Sequence, residues 1–333
     1  LTGVNLGYDG ADGGSEGIKH IPPQGVTGVE NMALMAPYLR QWCSSYNHIP
    51  SLSFDNFVNL DTIECYRALG LTTVSLRNTP SLRRATFEAC HLKTLDVSES
   101  PKLEDLRSAL NQNSSVKFGS IGEHLRHLCL RDNTQYTQSI PICHFRSLEQ
   151  IYIWHDNQSG PLNNTSHNLS DVEIDDNQYT SADFTDNANL KNCECYNNKL
   201  TSLILARCPE LTTLNCSTNR LKNLDISSCR SLTYIDAHHN LLSESAVDNI
   251  LAALVNAGQT GGTCILAQNS CPSKAGLKSR DMLISRRWDV TLSTAYSDIE
   301  WYMLDLWYYY VVDELIGFHR STYAKSNHQF LLF

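Results

Sequence analysis

The side chains with the widest chemical range fall in four short stretches: Tyr152, Trp154 and His155; Glu173, Asp175 and Asp176; Glu194 and Tyr196; and Asp236, His238 and His239. Carboxylates beside imidazoles are ingredients of acid–base chemistry or of a metal site. Zinc requires three or four ligands converging on one point, however, and an extended chain turns His238 and His239 in different directions. Asp175-Asp176 would hold calcium only weakly. Cys193-x-Cys195 has metal-motif spacing, but both residues fall at positions read below as core. No glycine-rich phosphate loop, serine elbow or paired-histidine helix occurs. Without polar groups converging in a nameable pocket, no catalytic residue, metal ligand or cofactor is expected.

The chemistry that remains is contact. Trp154, Tyr152 and Tyr196 read as exposed aromatics, a type enriched at binding hot spots. Glu173, Asp175, Asp176, Glu194 and Asp236 surround them as an acidic strip suited to a basic partner. Aromatics with carboxylates and amides suit a glycan equally well, by stacking and hydrogen bonding. The candidate binding residues are therefore Tyr152, Trp154, His155, Glu173, Asp175, Glu194, Tyr196, Asp236 and His238.

These residues are positioned by a repeat. Segments opening at Leu148, Leu169, Leu190, Leu211 and Leu232 follow one another in four steps of 21. Towards the N-terminus, Leu125, Leu103, Leu82, Leu60 and Leu39 continue the series in steps of 23, 22, 21, 22 and 21. Leu is first in all ten rows, and columns four, six, eleven, fourteen and sixteen are mostly apolar. The ninth column is often Asn (Asn47, Asn133, Asn177, Asn198, Asn219, Asn240). A fixed period with L-x-x-L-x-L-x-x-N-x-L predicts an α/β leucine-rich-repeat solenoid, a horseshoe or arc with a parallel sheet of about ten rungs. Side-chain alternation along each strand sends columns four and six inward and three, five and seven outward, and the eighth column is read with them on the concave face. The ninth-column amide is expected to satisfy backbone groups where the chain turns. With 21 residues per row, the return wall is expected to be extended or tightly turned.

The cysteines follow the same columns. Cys65, Cys195 and Cys216 are sixth, Cys193 fourth, and Cys143, Cys208 and Cys229 nineteenth, all read as inward. Stacked rungs point such side chains in parallel, which strains a disulfide, so reduced core thiols are expected.

The chain divides at 38, 242 and 292. Residues 1–38, rich in glycine, read as a loop, with a short helix from Asn31 to Trp42 capping the first rung. Residues 39–242 are the repeats, although the row from Leu103 shows helix-like spacing at Leu103, Leu106 and Leu110. Residues 243–292 predict a helix–strand–helix–strand cap, with Ser243 or Ser245 as N-cap and Gly258 as C-terminal stop. Residues 293–333 form an aromatic tail with no assigned role.

The rows LKNCECYNNKLTSLILARC and LTTLNCSTNRLKNLDISSC resemble bacterial leucine-rich-repeat proteins with short rungs, of the gut-bacterial surface type, over roughly residues 39–242. The segment from Ala246 to Leu292 is similar to a C-terminal module that follows such repeats and also occurs in some phage structural proteins, except that Arg286-Arg287-Trp288 lacks that module's glycine. The resemblance implies binding through the sheet face to a protein or glycan, at a bacterial cell surface or extracellularly. A reading from another class is an assembly component, a phage or cell-envelope part, with the repeats as a spacer.

Bulk properties bound these expectations. The 333 residues are 41% apolar and 18% charged, with a net charge of −9 and a pI near 5.7. That balance argues against a nucleic-acid partner held through phosphates. No run of 18 apolar residues predicts a membrane span. The chain opens at Leu1 rather than Met, as expected of a fragment or processed form.

Overall fold

The computed structural model describes residues 3–6, 32–46, 48–119 and 121–293, and over them the repeat is a parallel β-solenoid. The long sheet has 13 strands, stacked in chain order. The ten rows supply ten of them, from Gln41–Ser45 to Tyr234–Asp236. The strand Gly3–Leu6 adds one edge, and Gly262–Leu266 with Trp288–Leu292 closes the other.

Register is what makes the stack a single object. Asn192 pairs with Thr213 and Thr213 with Tyr234, so column meets column from rung to rung. Leu190, Leu211 and Leu232 consequently lie one above another, each fully buried. All ten first-column leucines are at most 1% exposed. A rung hides its apolar side only against its neighbours, so the core is one continuous file from Ala36 to Trp288.

Each strand ends the same way. The eighth residue of every row, from Tyr46 to His239, has φ between 49° and 60°, and none is glycine. A left-handed residue turns the chain out of the strand at a conformational cost. On the rungs with asparagine in the ninth column, its amide answers it. Asn198 Nδ2 donates to the carbonyls of Ile174, Cys195 and Tyr196 at 2.9, 3.2 and 3.1 Å, while its Oδ1 accepts from Tyr179 N at 3.0 Å. Asn177, Asn219 and Asn240 repeat the pattern one rung apart. The amide thus satisfies backbone groups at the turn as expected, reaching three carbonyls and one N–H. Asn47 lies outside the described residues.

The return wall is extended, as its length requires. It forms short parallel sheets, the largest joining Ser159–Leu162, Gln178–Asp183 and Ser202–Ile204. The cap has the expected order, with helices Glu244–Ala257 and Lys274–Ser285. Ser243 Oγ accepts from Ala246 N at the first helix start, and Gly258 ends that helix at φ 81°.

Several expectations need correction. The N-terminal helix is a single turn, Met32–Met35, because Trp42 belongs to the first rung's strand and is buried there. Residues 1–38 are not all loop, since Gly3–Leu6 pairs in parallel with Gln41–Ser44. The row from Leu103 is a strand at Asp105–Arg107, and its Leu110 is the exposed left-handed residue rather than a helical core position. Cys143 is exposed, carried outward by the 3₁₀ turn Ile142–His144. The other nineteenth-column thiols, Cys208 and Cys229, are buried, and no disulfide joins any of the 12 cysteines. Burial pushes the Cys229 thiol up to about 12. The tail from residue 294 onward lies outside the described residues.

Candidate binding face

The fifth column sets the geometry of the outer face. Strand pairing places Tyr152, Glu173, Glu194, Asn215 and Asp236 side by side on five successive strands. Neighbouring strands are roughly 4.8 Å apart, so three of these side chains span about 10 Å. Tyr152 and Trp154 lie two residues apart on one rung and therefore share a face. Their rings meet edge to face, with centroids 6.3 Å apart and an interplanar angle of 89°. The Arg131 guanidinium lies over Trp154 at 5.0 Å, a cation–π contact.

Carboxylates fill the next two strands. Tyr152 Oη donates to Asp171 at 2.9 Å, and Asn192 Nδ2 donates to the other oxygen of Asp171 at 3.0 Å. Tyr196 donates to Asp175, which is 6% exposed. Glu194 is half-buried, and desolvation with the nearby Asp175, Glu173 and Asp171 pushes its carboxyl up to about 7. Glu173 and Asp175 are raised as well, by burial first and carboxylate neighbours after it. The outward columns of the rows from Leu148 to Leu232 contain no lysine or arginine. The earlier rungs differ, because there Arg84 and Arg107 pair with Asp105 across the same face.

The nine predicted site residues fall into two groups and one residue at the rim. Tyr152, Trp154, Glu173, Asp175, Glu194 and Tyr196 share one patch on three adjacent strands. Asp236 and His238 stand apart from it, beyond the neutral strand Thr213–Asn215, and pair with each other at 2.7 Å. That hydrogen bond raises the His238 pKa. His155 is a left-handed residue at the rim, exposed, with its two ring nitrogens 3.3 Å from Asp132 and 3.3 Å from Asp176.

Two features of the face depart from expectation. The aromatics Tyr152, Trp154 and Tyr196 are half-buried instead of exposed, since each rung's side chains are flanked by those of the next. Asp175 and Asp236 are buried, each beneath its own hydrogen-bonded partner. Arg131 and Asp171 were missing from the candidate set, although their seventh- and third-column positions in the repeat mark them as outward. Among the described residues, no group of three or more His, Cys, Asp or Glu side chains is placed to hold a metal ion.

Comparison with known proteins bears on the fold. No family profile matches the chain, and no curated protein matches it. Among solved structures, the functional domain of InlJ from Listeria monocytogenes, which includes a cysteine ladder, superposes with a TM-score of 0.51 at 23% identity. That match covers 73% of this chain and 47% of the InlJ domain. YopM from Yersinia enterocolitica has a TM-score of 0.44 at 19% identity, covering 62% of this chain and 52% of YopM. A leucine-rich-repeat protein of Leptospira interrogans has a TM-score of 0.45 at 15% identity, covering 79% and 81% of the two chains. This chain therefore spans about half the length of the first two. With ten rungs in register and an asparagine ladder along their edge, the chain has the leucine-rich-repeat solenoid fold.

Proposed function

We propose that this is a non-catalytic binding protein whose outer sheet face captures a protein partner through lysine or arginine side chains. The observation that carries the reading is the imbalance on three adjacent strands. Asp171, Glu173, Asp175 and Glu194 crowd together on rungs whose outward columns hold no lysine or arginine, with Arg131 on an earlier rung, and burial together with this crowding raises Glu194 to about 7. A basic side chain set among them relieves that repulsion, while Tyr152, Trp154 and Tyr196 supply rigid apolar contact beside it. The half-buried state of the aromatics supports this role, because anchors held by their neighbours lose little freedom on binding. The reading includes a place at the cell surface or outside the cell, which the sequence resemblance implies. Among the described residues no helix is long and apolar enough to cross a membrane.

The test is a peptide and glycan array followed by titration of the captured ligands. Cationic peptides are expected to bind. Tyr152→Ala, Trp154→Ala and Tyr196→Ala together should weaken them at least a hundredfold, leaving the circular dichroism spectrum unchanged. Capture of neutral glycans alone, or unchanged capture by the triple variant, overturns the reading.

A further inference from the structure

Between Asn111 and Asn240 the asparagine ladder has one irregular member. In the row from Leu148, the ninth residue is Asp156, fully buried. Its backbone N–H donates to Asn177 Oδ1 at 3.3 Å, and its Oδ1 accepts from Asn133 N at 2.7 Å. Half of the ladder's bonding is thus preserved. The other oxygen, Oδ2, is buried and has no donor.

On the flanking rungs the corresponding atom is an amide nitrogen that only donates. Asn177 Nδ2 reaches the carbonyls of Ile153, Ile174 and Asp175, and Asn198 and Asn219 do the same one and two rungs on. By column, the carbonyls at the equivalent positions around Asp156 are those of Leu130, Ile153 and Trp154. An ionised carboxylate there would set a negative charge against the negative ends of three dipoles. A carboxylic acid solves the problem, because its O–H donates as the amide N–H does.

We infer that Asp156 is a neutral carboxylic acid in the folded protein, its proton replacing an amide hydrogen of the ladder, and that removing this proton loosens the rung bearing Trp154 and His155. The surroundings agree. Asp132 on the preceding rung opposes ionisation, and the phenols of Tyr136 and Tyr179 stay neutral because burial raises both. Asn177 and Gln158 bond the Asp156 backbone, while the Asn133 N–H bonds its carboxyl and favours the ionised form. Burial outweighs that bond and pushes the carboxyl up to about 8.

The sign follows from linkage. The folded chain keeps a proton that the unfolded chain releases above about pH 4, the ordinary Asp value. The stability contributed by this group therefore declines from about pH 4 to about pH 8 and is level beyond. The experiment compares urea midpoints of the full chain and Asp156→Asn between pH 5 and 9. The variant's midpoint should gain on the wild type steadily up to about pH 8 and keep a constant lead above it. Parallel profiles would overturn the inference. So would a variant that fails to fold, because the ladder takes an amide at the rungs that follow. A second measurement needs no variant: carboxyl-carbon NMR of the wild type should show Asp156 protonated at pH 6, and an ionised signal there sinks the idea.

Discussion

Glu194 is the residue whose titration reports most directly on the outer face. Desolvation comes first among the causes of its raised pKa, and three neighbouring carboxylates follow. A bound cation would draw it back towards the ionised form. Affinity for a cationic peptide should therefore rise with pH through about 7, by up to about tenfold between pH 6 and pH 8. Isothermal titration in buffers of different ionisation enthalpy should show protons released on binding at pH 6.5. Glu194→Gln should remove both the pH slope and the proton release, and a slope that survives in that variant would mean another group is responsible. None of this was legible in the sequence. Column five shows that Tyr152, Glu173 and Glu194 are neighbours, but a pKa depends on how much water the adjacent rungs exclude, and exclusion is a property of the stack.

At the scale of the element, the rung is held at its corner more than along its strand. Most strands of the long sheet have only three residues, yet a corner such as that of Asn219 has an amide bonded to three carbonyls and one N–H. Asn219→Ala would take one donor from each of the carbonyls of Cys195, Cys216 and Ser217, which keep Asn198, Asn240 and the Asn197 N–H, and would leave the buried Leu200 N–H without its acceptor. The expected loss is about 3 kcal/mol in urea unfolding. Lys199→Ala on the neighbouring surface removes only an exposed contact to Gln178 and should cost less than about 0.5 kcal/mol. Equal losses would mean that the ladder is not the rung's clasp. This element was readable because the period places Leu and Asn in fixed columns. The left-handed eighth residue was not, since Tyr46, Ala89 and Thr218 share that conformation without sharing chemistry. A column with no common side chain leaves no mark in the pattern. Strand Gly3–Leu6 escaped for a related reason: it falls outside the periodic rows, in glycine-rich sequence.

The whole molecule has two sheet ends, and its treatment of the C-terminal one is well defined. Gly262–Leu266 covers the tenth row's strand, and Trp288–Leu292 covers that in turn. Trp288 is 4% exposed and its Nε1 donates to the Gln259 carbonyl. The two strands approach so closely that a Cβ at Gly262 would lie 2.5 Å from the Thr233 carbonyl oxygen and 2.8 Å from the Trp288 ring. The cap is thus fitted to the last repeat. Cutting the chain after Leu242 would bare the edge of Tyr234–Asp236 and the apolar file behind it. Light scattering of that truncation should show association beyond any of the full chain. A truncated chain that stays monomeric would reduce the cap to an appendage. The cap's element order was plain from capping residues and helical spacing, whereas its closeness to the Thr233 backbone was not.

Column-to-column pairing has one more consequence. Because every rung meets the next in the same register, an in-frame duplication of residues 211–231 could slot in without a new kind of joint. It would leave the tyrosine–tryptophan–glutamate cluster intact and carry the Asp236–His238 couple about 4.8 Å farther along the stack. Gene duplication would then act on this surface as a ruler graduated in single strands, resetting the gap between two contact points while the chemistry of each stayed fixed.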